Sequence, residues 1–357
     1  MQATGTGSGP LTALALVAAG ASCGQAGTGS AASQPVSAPA VATGSVAAAP
    51  EPSAAVHSAP RDPGTSSAEL EHRSTGDVPA GPDDSCGAVP VGMACIPAGT
   101  FLRGVDGDPH RCTQHGQPAD LKSAAEPAQT LHLDSFLLDR YEVTNRAYQD
   151  CVDAGQCRPA GALYPGFREP DQPVTGISWH DALRFCQAQG KRLPTEAEWE
   201  KAARGPDGDS HPWGSAPASC ERAIVRSSAG RGCGQRVPGV SGDVGRIAEV
   251  GSRAAGRYGL YDMVGNAEEW VADWWTASYR ACGADCAGAD PRGPCAGAYP
   301  CPGHGFKVVR GGSWYWSADH ATGFHRRRHT PSNAPFHHFG FRCAADVSPK
   351  SAARPTR

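Results

Sequence analysis

The cysteine content constrains this chain more than any other feature of its sequence, because 357 residues contain 14 cysteines. None of the cysteines has the Cys-x-x-Cys spacing that many zinc sites use. A reducing cytosol disfavours many disulfide bonds, so the count favours an exported, disulfide-stapled protein. Three pairs are favoured by short loops, namely Cys86 with Cys95, Cys151 with Cys157, and Cys220 with Cys233. Two further bonds are expected, in a connectivity that the spacing leaves open, among Cys282, Cys286, Cys295 and Cys301.

The first 23 residues have features of a lipoprotein-type signal. A short apolar run from Leu11 to Ala19 precedes small residues and then Cys23, the position that such a signal lipidates. The run is too short to span a membrane. It departs from the usual pattern in having no Lys or Arg before it and Gly20 where Leu is common. We expect an exported protein that is either secreted or held at the cell envelope through a lipid on Cys23.

The composition divides the rest of the chain into a tether, a domain and a tail. Residues 24–84 are rich in Ala, Ser, Pro and Gly and contain few large apolar side chains, which predicts a disordered tether. All eight tryptophans lie between Trp179 and Trp316, inside a single predicted domain at residues 85–347. Residues 348–357 form a short tail.

The charge balance excludes some classes of partner. A formal net charge of -3 provides no extended basic field, so neither a nucleic acid nor an anionic membrane surface has electrostatic support as a partner. Contact with a membrane is expected only through the lipid anchor. The run Arg326–Arg328 is local, and we interpret it as a solvated or ion-paired turn.

Three helices are marked by their capping residues. Thr144, Ser178 and Thr195 are suitable N-caps, and the last is followed by Glu198 in the spacing of a capping box. The remainder is Gly-rich, with long loops and short strand-like runs, which indicates an irregular α+β domain. The runs that predict strands are residues 92–104, 136–139, 269–275 and 307–310.

Eight blocks of sequence follow one another within residues 90–347: IPAGTFLRG, DRYEVTNRAY, PVTGISWHDALRFC, GKRLPTEAEWEKAARG, HPWG, YGLYDMVGNAEEW, VVRGGSW and GFRCA. In this order they resemble the motif series of the formylglycine-generating enzyme, or sulfatase-modifying factor, family. The resemblance implies a C-type-lectin-like α+β fold with low regular secondary structure. It also implies a bond between Cys186 and Cys343, which leaves Cys112 without an assigned partner.

The resemblance leaves enzymatic activity open. Oxidases of the family use O2 and a copper ion to convert a substrate cysteine, in a Cys-x-Pro-x-Arg context, to formylglycine. In those oxidases two cysteines bind the copper ion, and they lie three and eight residues after the Ser of the GGS sequence in the block VVRGGSW. Counting from Ser313 places Trp316 and Ala321 there, and neither side chain binds copper. Glu268 replaces a tryptophan that is usual in the oxidases. We therefore expect no catalytic residue, no copper, and a binding or accessory protein; the alternative is an oxidase that uses relocated thiols.

Two sets of site residues follow from the resemblance. A groove for a peptide, glycan or protein partner is expected to contain Ser313, Trp314, Trp316, His320 and Arg310. A structural calcium ion is expected to bind the side chains of Asp262 and Glu269 and the carbonyl groups of Gly265 and Ala267, since oxygen ligands suit this hard cation. The histidines lack the spacing of a metal motif, and we interpret them as surface or groove residues.

Overall fold

The structure is a computed structural model that describes residues 84–106, 124–161, 164–242, 245–332 and 336–347. All of these belong to one structural unit, Pro79–Arg357. The predicted signal with Cys23, nearly all of the predicted tether, Cys112 and the tail lie outside the described residues. Within the described ranges, no helix combines the length and the apolar character that a membrane span requires.

The helices begin where the capping residues predict them. Thr144 and Ser178 each accept a backbone hydrogen bond from the first turn, while Thr195 and Glu198 form the reciprocal capping box. These interactions satisfy N–H groups that a helix cannot bond internally. The helices are α1 (Asn145–Asp153), α2 (Trp179–Ala188), α3 (Glu196–Arg204) and the single-turn α4 (Tyr279–Cys282).

The strands form three small sheets. Their bounds are β1 (Met93–Ile96), β2 (Gly99–Arg103), β3 (Gln129–Leu133), β4 (Phe136–Asp139), β5 (Glu268–Trp274), β6 (Lys307–Arg310), β7 (Arg326–His329), β8 (Phe339–Gly340) and β9 (Ala344–Asp346). The sheet orders are β1-β4-β9, β2-β3 and β7-β6-β5-β8. All pairs are antiparallel except β5 with β8.

Two details differ from the sequence-based expectations. The predicted strand at residues 92–104 is divided into β1 and β2, which belong to different sheets. The division falls at Pro97, which has no N–H group to continue a ladder. In the run Arg326–Arg328, Arg326 and Arg327 are ion-paired and Arg328 is exposed, but the run lies in strand β7 and does not form the expected turn.

The interior contains two large apolar clusters on either side of strands β5 and β6. One gathers β1 to β4 and α3 around the fully buried Trp199, and the other gathers α1 and α2 around the fully buried Trp270. Both tryptophans also bond through their indole N–H groups, Trp199 to Glu269 Oε2 at 2.8 Å and Trp270 to the carbonyl of Ile177 at 3.3 Å. The four-stranded sheet is therefore covered by side chains from both halves of the sequence.

Six disulfide bonds staple this arrangement in the described part of the chain. They include the three pairs with short loops and the pair between α2 and the segment before β9. The remaining four cysteines pair locally, in a connectivity that their spacing left open. The pairs are Cys86–Cys95, Cys151–Cys157, Cys186–Cys343, Cys220–Cys233, Cys282–Cys286 and Cys295–Cys301.

Candidate functional site

The segment at residues 311–325 joins β6 to β7 and carries most of the residues expected in the groove. Its ends lie side by side because Arg310 and Arg326 are partners in the antiparallel ladder. Both arginines bind carboxylates of α3: Arg310 Nη2 lies 2.5 Å from Glu200 Oε2, and Arg326 Nε lies 2.5 Å from Glu196 Oε1. One helix therefore holds both ends of the segment.

The structure corrects the expectation that Arg310 lines the groove. Its side chain is fully buried and donates to the carbonyl of Gly323 as well as to Glu200. Burial alone would raise the pKa of Glu200, but Arg310 and Arg204 hold that pKa at about 2. The hydroxyl of Tyr279 adds a hydrogen bond to Glu200 at 2.9 Å. Arg310 is thus part of an internal ion-pair network and has no access to a ligand.

Ser313 and Trp314 lie beneath the surface, at 1% and 2% exposure. The indole of Trp314 packs in an apolar cluster with Phe167 and Ile224, and its N–H donates to the carbonyl of His337 at 3.2 Å. Both the ring and the N–H group of Trp314 are therefore engaged inside the domain. The two residues therefore support the site from below and do not form the surface that a partner would touch.

The accessible part of the site is formed by Trp316, His320 and Arg327, which are all partly exposed. The rings of Trp316 and His320 stack with centroids 5.4 Å apart, and the Arg327 guanidinium lies 4.8 Å from the centroid of the indole. Arg327 Nη1 also donates to Glu268 Oε2 at 2.7 Å. Burial raises the pKa of Glu268, an effect that Arg327 and His320 partly offset. We call Trp316, His320, Arg327 and Glu268 the groove cluster.

The histidines below the groove cluster are buried and close together. His325 contacts the ring of His320 at a centroid distance of 5.1 Å, and His338 contacts that of Trp316 at 6.3 Å. Burial lowers the pKa of His325 well below its ordinary value and that of His338 to about 3. The histidines were interpreted as surface or groove residues; His325 and His338 are instead buried, in the interior behind the groove cluster.

No metal centre is assembled from these histidines in the described residues. The group of potential ligand atoms that lie within 4.8 Å of one another there is His132, Asp134 and Asp290, which are exposed and belong to a different part of the domain. Exposed carboxylates often occur together without binding a metal. We draw no site from this group.

The positions that the resemblance assigns to copper ligands contain no sulfur. Trp316 stacks on His320, and Ala321 is buried in an apolar cluster with Val225 and Val264. Every cysteine in the described ranges is part of a disulfide bond. The four cysteines at residues 282–301, which were the candidates for relocated thiols, are included in these bonds.

The residues expected to bind calcium lie in a buried group of carboxylates. Glu142, Asp262 and Glu269 face the buried guanidinium of Arg342, and Arg253 also acts on Asp262. Arg342 Nη2 lies 2.7 Å from Glu269 Oε1, so the uncompensated charge belongs to the other two. Burial raises the pKa of both Glu142 and Asp262, and repulsion from Glu269 adds to the effect. Oxygen donors are the ligand type that suits a hard divalent cation. Both oxygens of Glu269, however, already accept hydrogen bonds from Arg342 and Trp199, and the three carboxylates do not form a group that converges within 4.8 Å in the described residues.

Sequence reasoning did not identify Glu142 as a member of this group. Its carboxylate accepts hydrogen bonds from Asn266 Nδ2 at 2.8 Å and from the N–H of Ala267 at 2.9 Å, so it braces the loop that carries the predicted carbonyl ligands. An indication was present in the sequence, because Glu142 lies between the apolar side chains of Tyr141 and Val143.

Comparisons with known proteins agree with the fold and with the order of the motifs. The chain is 32% identical over 304 residues to a formylglycine-generating enzyme of Thermomonospora curvata, which covers 71% of this chain and 93% of that protein. It is 27% identical over 314 residues to the inactive C-alpha-formylglycine-generating enzyme 2 of Mus musculus, covering 74% and 87% respectively. The solved structure of PvdO from Pseudomonas aeruginosa superposes with a TM-score of 0.53 at 23% identity, over 71% of this chain and 94% of that one.

The last of these likenesses concerns the fold alone, since its identity is low. One of the two sequence relatives is named as an enzyme and the other as an inactive one, so similarity by itself does not decide whether this chain is an oxidase. Residues 83–347, the greater part of the sequence, match the sulfatase-modifying factor enzyme 1-like domain. The chain therefore belongs to the formylglycine-generating enzyme and sulfatase-modifying factor family and has the α+β fold of that family.

Proposed function

We propose that this protein is a non-oxidase, binding or accessory member of its family, and that its groove cluster recognises a partner outside the cytoplasm. One observation carries the proposal, namely the chemistry at the two positions assigned to copper. Cu(I) is a soft ion that prefers sulfur ligands. Trp316 offers an indole N–H, which is a donor only, and Ala321 offers a buried methyl group.

The alternative oxidase requires free thiols from elsewhere in the chain. The four cysteines proposed for that role are bonded as Cys282–Cys286 and Cys295–Cys301. A disulfide sulfur is neither a thiolate nor a copper ligand of comparable strength, so these bonds would have to be reduced first. An exported location opposes such reduction. The arrangement thus favours binding over oxidation.

The groove cluster has the features of a recognition surface. An aromatic ring, an imidazole and a guanidinium are partly exposed side by side, and a buried carboxylate holds the guanidinium in place. Side chains of this kind are enriched where proteins bind partners. Because Arg310 and Arg326 anchor both ends of the segment, the cluster is presented by a fixed backbone.

Copper binding and peptide oxidation test the proposal together. The purified protein is supplied with Cu(I), O2 and a Cys-x-Pro-x-Arg peptide, and aldehyde is detected by hydrazide labelling and mass spectrometry. We expect neither stoichiometric copper nor aldehyde. The double variant Trp316→Cys/Ala321→Cys, which introduces two thiols at the assigned positions, is the positive control for copper binding. Aldehyde formation by the unmodified protein would establish the oxidase and reject the proposal.

We also propose a structural calcium ion, held by Asp262 and Glu269 with the carbonyl groups of Gly265 and Ala267. It is supported by the excess of buried carboxylates around Arg342. When bound, the ion would neutralise that charge and fix the loop between α3 and β5. It has no assigned part in chemistry.

Export is proposed on the basis of the six disulfide bonds and the signal-like first 23 residues. Cell fractionation tests it with the variant Cys23→Ser. If Cys23 carries a lipid, the unmodified protein is expected in the membrane fraction and the variant in the soluble fraction. Equal distribution of the two would exclude the anchor.

A further inference from the structure

An open cavity of about 260 Å³ lies between α2, β5 and the loop at residues 295–301, which we call the wall loop. Within the described residues, its lining shares no member with the groove cluster. Solvent reaches the cavity, because residues at its rim are exposed, among them Arg292 and Ala298. Most of the lining is apolar and includes Trp179, Leu183, Leu193, Ala272 and Tyr299.

Contacts with the interior hold the wall loop in place. Lys307 Nζ donates to the carbonyl of Gly297 at 3.2 Å. Trp274 Nε1 donates to the carbonyl of Ala298 at 2.6 Å. The ring of Tyr299 stacks on that of Trp274 with centroids 5.5 Å apart, and a disulfide bond closes the loop. The outer wall of the cavity is therefore formed before any ligand arrives, so binding does not require the loop to become ordered.

The charged side chains that line the cavity are basic. Arg192 and Arg292 line it, and no carboxylate does so within the described residues. Arg192 is already paired, because it bonds to Glu198 and Asp346. Arg292 is exposed, and its guanidinium has no hydrogen bond or ion pair within the described ranges. An unpaired guanidinium at the rim of an apolar cavity favours a ligand that has an anionic group.

Neighbouring carboxylates limit the negative charge that this site accepts. On its other side Arg292 borders a second cavity, whose lining includes Asp134, Asp290, Glu198 and Asp346. Repulsion from these groups disfavours a doubly charged anion, such as a phosphate monoester, more than a singly charged one. A carboxylate has one charge and can form two parallel hydrogen bonds with a guanidinium. A single carboxylate is therefore the anion that fits.

The size and the lining of the cavity define the apolar part of the ligand. Ligand cavities commonly measure about 300–1,000 Å³, so this one accepts a single ring and not a long chain. Trp179 is 2% exposed and belongs to the interior side of the cavity, whereas Tyr299 is 54% exposed and leaves part of its ring accessible. Aromatic rings pack favourably on one another in offset or edge-to-face arrangements.

We propose that this cavity binds a small monocarboxylic acid with one aromatic ring, the ring packing on Tyr299 and the carboxylate bonding to Arg292. The site is distinct from the groove cluster, so the proposal goes beyond the proposed function and does not depend on it.

Calorimetric titration tests the ligand class. The probe is 3-phenylpropionate, with 3-phenylpropionamide as its neutral counterpart, 3-phenylpropylamine as a cation and 2-phenylethyl phosphate as a dianion. We expect saturable binding of one 3-phenylpropionate per chain. The amide should bind about tenfold more weakly, because it lacks the charge-assisted hydrogen bonds. The phosphate should also bind more weakly than the acid, and the amine should show no saturable binding.

Variants at the rim and inside the cavity locate the ligand. Arg292→Gln should lower the affinity for the acid about tenfold and leave the affinity for the amide unchanged, whereas a general disturbance of the cavity would weaken both. Arg184 is an exposed arginine of α2 outside the lining, so Arg184→Gln is the matched control and should change neither affinity. Leu183→Trp fills the cavity and should abolish binding of both ligands. Arg292 is exposed, so its replacement leaves the fold intact.

Four results would overturn the proposal: failure of 3-phenylpropionate to bind, equal affinity for the acid and the amide, tighter binding of the phosphate or the amine than of the acid, or unchanged acid affinity in Arg292→Gln. The copper and aldehyde measurements concern other residues, so none of these results alters the conclusion about oxidase activity.

Discussion

Arg310 and Glu200 lie 110 residues apart in sequence and meet in the interior with Nη2 2.5 Å from Oε2, both side chains fully buried. Arg310 ends β6, directly before the segment that carries the groove cluster, and Glu200 lies in α3. The contact therefore connects the candidate site to the best-defined helix of the domain. It also determines which side chains are available to a ligand, since it keeps Arg310 inside.

Removing the charge of Glu200 is expected to destabilise the fold strongly. The variant Glu200→Gln leaves Arg204 buried without its ion-pair partner and leaves Arg310 with Glu196 alone, and breaking such a buried pair typically costs about 3–5 kcal/mol. Denaturant unfolding with the disulfide bonds intact measures the change. The control is Asp171→Asn, whose partner Arg146 is 59% exposed, and which should cost less than about 1 kcal/mol. Equal losses in the two variants would contradict a special role for the buried pair.

The contribution of His338 to stability is expected to fall between pH 7 and pH 5, whereas the buried Asp273, whose pKa burial raises to about 7, acts in the opposite direction. Burial lowers the pKa of His338 to about 3 in the folded protein, from an ordinary value of 6.5. The unfolded chain therefore binds more protons below about pH 6.5, and the free energy of unfolding decreases by roughly 2 kcal/mol at pH 5 from this residue. His325 acts in the same direction. Glu200, with a pKa of about 2, stays ionised in this range.

The variant His338→Phe isolates this effect. Phenylalanine preserves a ring beside Phe336 and cannot titrate, so lowering the pH from 7 to 5 should leave the variant more stable, by roughly 2 kcal/mol, than the same change leaves the unmodified protein. Chemical unfolding at pH 7, 6 and 5 provides the measurement. An identical pH dependence in both proteins would show that His338 does not contribute.

Calcium is expected to raise the melting temperature. An ion present at 100 times its dissociation constant adds about 2.7 kcal/mol, which corresponds to roughly 5–10 °C for a domain of this size. The increase should be larger at pH 7 than at pH 5, because the raised pKa of Glu142 and Asp262 means that these groups retain protons in acid and must lose them to the ion. Differential scanning fluorimetry measures the shift.

Two substitutions at one position provide the controls. Asp262→Ala removes a ligand and should abolish the response to calcium. Asp262→Asn keeps an oxygen ligand and tolerates the left-handed backbone, with φ 55°, so it should retain a reduced response. If adding calcium leaves the melting temperature of the unmodified protein unchanged, the proposed ion is rejected.

The disulfide bonds are expected to contribute unequally. Loop-closure entropy gives about 5 kcal/mol for the bond between Cys186 and Cys343, which closes 157 residues, and about 2 kcal/mol for that between Cys151 and Cys157, which closes six. Guanidinium unfolding of the two double-alanine variants compares them. A larger loss from the short loop would mean that native-state contacts outweigh chain entropy.

The parts of the fold that were predictable depend on short-range chemistry. The caps of α1 to α3 involve residues at most three positions apart, so Thr144, Ser178 and Thr195 identify the helix starts without tertiary information. The order of motif blocks identified the family. It placed residues along the chain but not the direction in which each side chain points, which is why Arg310 was assigned to the groove.

The buried ion pairs could not be read from the sequence in the same way. In α3, Glu196 and Glu200 are paired with arginines more than 100 residues away. Hydrophobic periodicity contains no information about such pairs, because both members occupy interior positions that it assigns to apolar residues. The burial of His325 and His338 behind the groove cluster could not be read from the sequence for the same reason.

The attachment of residues 311–325 at both ends has one more consequence. Arg310 and Arg326 secure this stretch to Glu200 and Glu196, and the tight approach of the Gly311 backbone to Trp199 adds a third fixed point. Because both of its ends are fixed, the backbone of this segment depends little on the exposed side chains that it carries. The partly exposed side chains between its ends, such as Trp316 and His320, can therefore change with less effect on the scaffold than Trp314 or Ala321, which pack inside the domain.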